Sequence, residues 1–159
     1  MKRTAFFVNL AALTLAGGSA MRALGSTSQT YRVTHSDAQW RALLGPERYE
    51  ILRENGTEPA NSSALLGETR PGLYRCAGCS LALFDSKTKY DSGEGWPSFW
   101  AVLPNAVAKQ ADYQLIAERT EVHCRQCGGH LGHLFDDGPP PTYARYCIDG
   151  LALRFVPRG

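Results

Sequence analysis

The chain has 159 residues, of which 43% are hydrophobic and 20% are charged. This length suits one compact domain, and this composition argues against a wholly disordered chain. The net charge is only +2, an excess that Lys2 and Arg3 account for by themselves. A nearly neutral body argues against a protein that binds nucleic acid or a membrane surface through a strongly basic face.

The first residues have the pattern of an export signal. Lys2 and Arg3 precede a mostly apolar run over 5–16, and the small residues 18–20 follow that run. The run is shorter than the about 20 residues that a transmembrane helix requires. We therefore expect a cleaved leader over 1–25, export to the periplasm or the cell exterior, and one domain over 31–159. An uncleaved hydrophobic leader is the alternative.

Two short helices are predicted at the start of that domain. Ser36 or Asp37 can cap the first, which we expect to run to Leu44. Pro46 suits the first turn of the second helix, over 47–54, and the Asn-Gly pair that follows should end it. The expected buried side chains are Trp40, Leu43 and Leu44 in the first helix and Tyr49, Ile51 and Leu52 in the second.

Residues 56–72 are rich in turn-forming residues and predict a loop that wraps around the domain. Beyond this loop the sequence predicts strands separated by turns. The expected strands lie at 73–75, 81–84, 97–103, 115–123, 130–135 and 143–156, the last of them broken near Gly150. The predicted fold class is therefore mainly antiparallel β with short N-terminal helices.

Four of the five cysteines form two C-x-x-C pairs, Cys76 with Cys79 and Cys124 with Cys127. Four thiolates fit a closed tetrahedral zinc site, which is structural because no position is left for water or substrate. The 44 residues between the pairs exceed the roughly 15–20 of compact zinc motifs, so the metal should join two separate hairpins. Two disulfides are the alternative, although such short loops stabilise a fold only weakly.

Cys147 is the cysteine without a partner. Strand alternation places Arg145, Cys147 and Asp149 on one face. The guanidinium would lower the pKa of the thiol, whereas an ionised Asp149 would raise it. Cys147 is therefore a candidate nucleophile, and the alternative is a buried, inert cysteine.

Two histidines and one tryptophan complete the set of candidate site residues. His130 and His133 lie close together and could exchange protons near neutral pH, or could simply be core or surface residues. Trp96 lies between Gly95 and Pro97. Its ring could pack in the core or form a wall for a sulfur-bearing methyl group.

Several motifs follow one another in a specific order. They are G-T-E-P at 56–59, Y-R-C-A-G-C at 74–79, K-Y-D-S-G at 89–93, G-W-P-S-F at 95–99, C-G-G-H-L-G-H at 127–133, F-D-D-G-P at 135–139 and R-Y-C at 145–147. In this order they resemble the B-type methionine sulfoxide reductases, which reduce the R epimer of methionine sulfoxide. The resemblance covers about residues 34 to 157.

The resemblance implies a β-tent, two antiparallel sheets that lean together, with a structural zinc held by the paired cysteines. Cys147 would attack the sulfoxide sulfur and be left as a sulfenic acid. His133, with His130, would protonate or orient the sulfoxide oxygen, and Trp96 would pack the terminal methyl group. Arg145 and Asp137 would support the pocket, and Phe135 is a further candidate for substrate binding. Asp149, beside the thiol, is a candidate catalytic residue from the strand alternation.

The chain departs from the family pattern at two positions. Glu94 stands where many members carry a second, recycling cysteine, and Asp149 stands where asparagine is common. We therefore predict a one-cysteine cycle in which an external thiol, such as a thioredoxin-like protein, reduces Cys147 directly. Oxidised proteins are the expected substrates, and the expected state is a monomer. A zinc-pinned binding module without catalysis and a zinc-ribbon nucleic-acid binder are the alternatives.

Overall fold

The computed structural model describes residues 30–113 and 118–159. The predicted leader over 1–25 lies outside them. The described residues form one long helical element and nine strands, which are α1 (Asp37–Glu54), β1 (Gly72–Cys76), β2 (Ala82–Asp85), β3 (Lys89–Tyr90), β4 (Ser98–Phe99), β5 (Val107–Asp112), β6 (Arg119–Cys124), β7 (His130–Phe135), β8 (Arg145–Ile148) and β9 (Leu153–Pro157). Within 30–113 and 118–159 no helix combines the length and the apolar character needed to span a bilayer.

Helix α1 consists of two helical segments that meet at a kink. Ser36 caps the first through a capping box with Gln39. Gly45 has a φ of 72°, outside the helical region, directly before Pro46, which confirms the predicted pair of helices. Trp40 and Leu44 are buried, but Leu43 is 48% exposed, so its predicted place on the apolar side was wrong. A residue one position before Leu44 points about 100° away from it around the helix.

The strands form two antiparallel sheets, as predicted. The smaller has the order β2-β1-β9 and the larger the order β3-β4-β8-β7-β6-β5. The predicted break near Gly150 is a 3-10 helix, Gly150–Ala152, and it carries the chain from β8 in the larger sheet to β9 in the smaller one. The predicted strand at 115–123 corresponds to β6, although residues 114–117 lie outside the described ranges. Strands β3 and β5 were not predicted.

Aromatic side chains from both sheets fill the space between them. Tyr74 and Phe84 from the smaller sheet contact Phe99 of the larger one, with ring centroids 4.9 and 4.3 Å apart. All three side chains are fully buried. Each such pair contributes about 0.5–1.5 kcal/mol beyond the area it buries. These contacts fix the position of one sheet relative to the other, and hence that of residues at their junction.

Candidate active site and metal centre

The four paired cysteines lie at corresponding places in two hairpins. Cys76 ends β1 and Cys79 lies in the turn before β2, whereas Cys124 ends β6 and Cys127 lies in the turn before β7. The first hairpin belongs to the smaller sheet and the second to the larger one. A metal bound by all four would therefore join the two sheets, as the wide sequence spacing predicted.

The distances between these sulfur atoms fit a zinc ion. All four Sγ atoms lie within 4.8 Å of one another, with Cys76 to Cys127 at 3.7 Å and Cys79 to Cys124 at 3.5 Å. A disulfide would need about 2.05 Å, and all four cysteines are free. Zinc bound at about 2.3 Å in tetrahedral geometry separates its sulfur ligands by about 3.8 Å. The four cysteines could thus hold a structural zinc.

The thiols of this cluster cannot all ionise without a cation. The contact with Cys124 raises the pKa of Cys76 and lowers that of Cys79, and the mutual contacts also raise the pKa of Cys127. Such a split means that some thiols keep their protons so that others can lose theirs. A divalent cation removes this conflict because it stabilises every thiolate at once.

Cys147 lies in the middle of a row of polar residues that crosses the larger sheet. The pairing registers join Ser98 to Cys147, Cys147 to His133, His133 to Glu121, and Glu121 to Gln110. Directly opposed residues of neighbouring strands point to the same face of a sheet. The row therefore places the predicted nucleophile and the predicted proton carrier side by side.

The Cys147 thiol is partly buried, and its burial raises its pKa. The positive charge of Arg145 opposes this effect, whereas the charges of Asp149 and Glu94 add to it. The contributions of Arg145 and Asp149 thus have the predicted signs. The pKa of Cys147 nevertheless rises overall, because the effect of desolvating the thiolate is larger than the opposing effect of the guanidinium charge. The sequence did not predict this net rise, because burial of the thiol depends on the whole fold.

Arg145 is held in place from two sides. Its guanidinium donates two hydrogen bonds to the Asp137 carboxylate, at 2.7 and 2.8 Å, and it lies 4.2 Å from the centroid of the Phe135 ring. A two-pronged ion pair and a ring face fix both the orientation and the plane of a guanidinium. Asp137 and Phe135 therefore act on Cys147 through Arg145.

His133 contacts a carboxylate that the sequence did not point to. Its Nε2 lies 2.8 Å from Oδ2 of Asp112, the last residue of β5, and Arg119 contacts the same oxygen at 2.7 Å. Burial lowers the pKa of His133, and the Asp112 hydrogen bond raises it in part. A neutral imidazole that donates its Nε2 proton to Asp112 keeps Nδ1 as a proton acceptor.

His130 is buried behind His133, with ring centroids 5.3 Å apart. Its Nδ1 lies 2.7 Å from a Glu121 carboxylate oxygen, and its Nε2 lies 4.0 Å from Oδ2 of Asp149. That Nε2 has no hydrogen-bond partner among the described residues. The ring therefore lies between two buried carboxylates, and its contact with Glu121 connects it to the polar row.

Asp149 and Trp96 meet at Glu58, in the loop between α1 and β1. The Glu58 backbone N–H donates to Oδ1 of Asp149 at 2.9 Å, and the Trp96 Nε1–H donates to the Glu58 carbonyl oxygen at 3.0 Å. Asp149 is only 3% exposed, and this burial raises its pKa to about 6. It follows β8 and occupies the position before the 3-10 helix, so it lies beyond the strand alternation that the sequence suggested.

Sequence reasoning missed several members of the site. They are Glu58, Asp112, Glu121 and Tyr90, whose buried hydroxyl has no partner among the described residues. Tyr90 opposes Ser98 and so extends the polar row. Glu58 stood within a matching motif, but nothing in the motif indicated which groups it contacts.

Replacing Asp149 with asparagine should make the Cys147 thiol more reactive. The asparagine oxygen can still accept the Glu58 N–H, while the charge that raises the Cys147 pKa is lost. Since Asp149 titrates near pH 6, the charge is absent in acid and present above. The rate of Cys147 alkylation by iodoacetamide should therefore match wild type below about pH 5 and exceed it a few-fold above about pH 7. A ratio near one at every pH would contradict an ionised Asp149 beside the thiol.

Comparison with known proteins agrees with this geometry. A family model described as the SelR domain matches residues 44–157. Relatives that carry the name peptide methionine sulfoxide reductase MsrB include proteins from three organisms. They are from Agrobacterium fabrum (52% identical over 127 residues, 79% of this chain and 94% of the relative), Leptospira interrogans (51% over 126 residues, 79% and 96%) and Methanosarcina mazei (44% over 126 residues, 79% and 90%).

Among solved structures, the Mis18 "Yippee-like" domain matches with a TM-score of 0.46 and 17% identity, covering 57% of this chain and 99% of that domain. The sequence matches are far stronger, since they span nearly the full length of the relatives at about half identity. The chain therefore belongs to the SelR-domain family of the peptide methionine sulfoxide reductases MsrB.

Proposed function

We propose that this protein reduces the R epimer of methionine sulfoxide, mainly within oxidised proteins, to methionine. The observation that carries the proposal is the position of Cys147, the one thiol outside the metal cluster, directly opposite His133 and beside Arg145. Membership of the peptide methionine sulfoxide reductases supports the substrate. A zinc ion held by the four paired cysteines would supply no step of the reaction, because four thiolates would fill its coordination sphere.

The first step is attack by the Cys147 sulfur on the sulfoxide sulfur. Because burial raises the Cys147 pKa, the thiol needs a base. His133, which pairs with Cys147 across β7 and β8, would accept its proton at Nδ1. The same imidazolium then returns a proton to the sulfoxide oxygen as that oxygen transfers to the Cys147 sulfur. Methionine leaves with its sulfur reduced by two electrons, and Cys147 is oxidised by two electrons to the sulfenic acid.

The second step restores Cys147. A thiol of the external reductant attacks the sulfenic sulfur, releases water and forms a mixed disulfide, which a second thiol resolves. No internal thiol is suited to this task, because the other four cysteines form the metal cluster. Glu94, at the position of the family's recycling cysteine, contributes only a negative charge near Cys147. The proposed cycle is therefore of the one-cysteine type.

Substrate orientation follows from the pocket walls. Trp96 would pack against the terminal methyl group of methionine sulfoxide, since an indole face attracts a sulfur-bearing methyl. The hydrogen bond from its Nε1 to Glu58 fixes the ring plane. Arg145, held by Asp137, would lie on the side of the negative charge that develops on the sulfoxide oxygen.

The experiment that tests this function omits the reductant. Reduced protein is mixed with an excess of R-methionine sulfoxide in a blocked peptide, and the methionine formed is counted per protein. We expect one equivalent and a sulfenic acid on Cys147, trapped with dimedone and located by peptide mapping. No methionine would contradict the reductase function. A disulfide between Cys147 and another cysteine of the chain would contradict the one-cysteine cycle while leaving the reductase function in place.

We further propose that the protein is exported, that residues 1–25 are removed, and that it acts as a monomer on oxidised proteins of the envelope or exterior. The basic and apolar pattern of residues 2–20 supports export. Fractionation of the expressing cell, with mass determination of the soluble product, tests the location and the cleavage together. A full-length protein retained in the cytoplasm would contradict both.

A further inference from the structure

Glu58 is a buried acidic residue to which the proposed reaction gives no direct part. It lies in the loop between α1 and β1 and is only 4% exposed. A carboxylate taken out of water needs hydrogen bonds to every oxygen, or its burial is costly. Glu58 meets this need with partners that all belong to the neighbourhood of the active site.

The backbone of Glu58 bridges two proposed site residues from different parts of the chain. Its N–H binds Oδ1 of Asp149, which follows β8, and its carbonyl oxygen binds Nε1 of Trp96, which precedes β4. The N–H and the carbonyl oxygen flank the same Cα atom, so the separation of the indole from the Asp149 carboxylate depends on where the Glu58 backbone lies and how it is oriented. The indole is the proposed wall for the substrate methyl group, and Asp149 is one of the charges that act on the thiol.

The side chain of Glu58 determines where that backbone lies. One carboxylate oxygen accepts a hydrogen bond from the Gly150 N–H, and the other accepts one from the Leu151 N–H at 3.1 Å. These amides start the 3-10 helix after Asp149, and the Asp149 side chain does not cap it. A Cβ on Gly150 would collide with Ser63 and approach Glu58 Oε1 at 3.1 Å, so the fit between the loop and the helix is close.

We propose that Glu58 is the positioning residue of the active site, whose carboxylate fixes the loop to the 3-10 helix so that its backbone places the Trp96 wall relative to Asp149 and Cys147. This inference rests on the proposed reductase function. It predicts that the charge and length of one side chain, which touches neither substrate nor thiol, set how well methionine sulfoxide is held for attack.

The test compares Glu58→Gln with Glu68→Gln. Glutamine keeps the size of Glu58 but offers one oxygen and an amide group that repels the second N–H. Glu68 lies in the same loop and binds Arg70 through its carboxylate, so it is the matched control. In turnover of the R epimer, Glu58→Gln should raise KM and lower kcat/KM by roughly 10- to 100-fold, because small misplacements are costly. Glu68→Gln should behave as wild type.

Two further readouts separate positioning from general damage. Zinc content and the rate of Cys147 alkylation by iodoacetamide should stay close to wild type in Glu58→Gln, because neither needs the methyl wall. Trp96→Phe removes the N–H that Glu58 accepts, so its effect on KM and that of Glu58→Gln should not add in the double variant. Additive effects, or a wild-type KM in Glu58→Gln, would overturn the proposal.

The outcomes also distinguish a failure of the proposed Glu58 role from a failure of the proposed reductase function. If wild-type protein fails to reduce the R epimer, the proposed function fails. If wild type is active and Glu58→Gln matches it, only the role of Glu58 fails. Should Glu58→Gln not fold, Glu58→Asp, which keeps the charge and shortens the side chain by one methylene, takes its place. A raised KM in Glu58→Asp supports the role of the Glu58 carboxylate, and an unchanged KM overturns it.

Discussion

Replacing Cys147 with serine is expected to remove reductase activity altogether, a loss of roughly three orders of magnitude or more in kcat. A serine hydroxyl cannot take up the sulfoxide oxygen, because the product would be a hydroperoxide, which is a stronger oxidant than the sulfoxide, whereas a thiolate gives a sulfenic acid. No other thiol can replace Cys147, since the remaining four cysteines belong to the metal cluster. The measurement is methionine formation from the R epimer with dithiothreitol, in wild type and variant side by side.

The variant should remain folded, which makes the result interpretable. Serine is close to cysteine in size, and another serine, Ser98, already occupies the adjacent position in the row. Zinc content and the thermal unfolding midpoint should therefore match wild type. Activity in the variant clearly above that of dithiothreitol alone would mean that some other group reduces the sulfoxide.

Replacing Cys124 with serine is expected to unfold the protein at ordinary temperature. Zinc bound by four thiolates contributes on the order of 10 kcal/mol or more to folding, about as much as the whole stability of a typical domain. The loss should be large here because the cluster joins the two sheets. Thermal unfolding and metal content, measured on the variant and on wild type treated with a strong chelator, provide the test.

Cys147→Ser serves as the matched control for this experiment, because it removes a thiol outside the cluster. It should keep one zinc per chain and a wild-type unfolding midpoint. A Cys124→Ser protein that unfolds at the wild-type temperature without metal would contradict a structural zinc. Protein isolated with disulfides among the paired cysteines would instead support the alternative of two disulfides in place of a zinc site.

Local features of the fold were predictable because their causes are local. The Ser36 cap, the kink at Gly45 and the helix end at Asn55 depend on residues within a few positions of one another. The β7 hairpin strand was predicted with its correct bounds, since it directly follows the second C-x-x-C. Strand β5 was missed because Val107–Asp112 shows little alternation and is held in place by pairing with β6.

Individual residues of the candidate site were predictable from the sequence, but the net effect of their surroundings on the pKa of Cys147 was not. Alternation along β8 placed Arg145 beside Cys147 with the correct electrostatic sign, but burial of the thiol, which depends on the whole fold, decides the direction of its pKa. The same holds for Asp149, whose contact with Glu58 joins residues 91 positions apart. Neither the Asp112 contact to His133 nor the Glu58 bridge leaves a pattern in the nearby sequence.

The measurement that tests the account most directly is turnover of the separated R and S epimers of a blocked methionine sulfoxide by zinc-loaded wild-type protein with dithiothreitol. If Trp96 packs the methyl group as proposed, the substrate should present one face of its sulfoxide sulfur to Cys147. We predict steady reduction of the R epimer and none of the S epimer. Equal reduction of both epimers, or of neither, from folded protein would contradict the assignment.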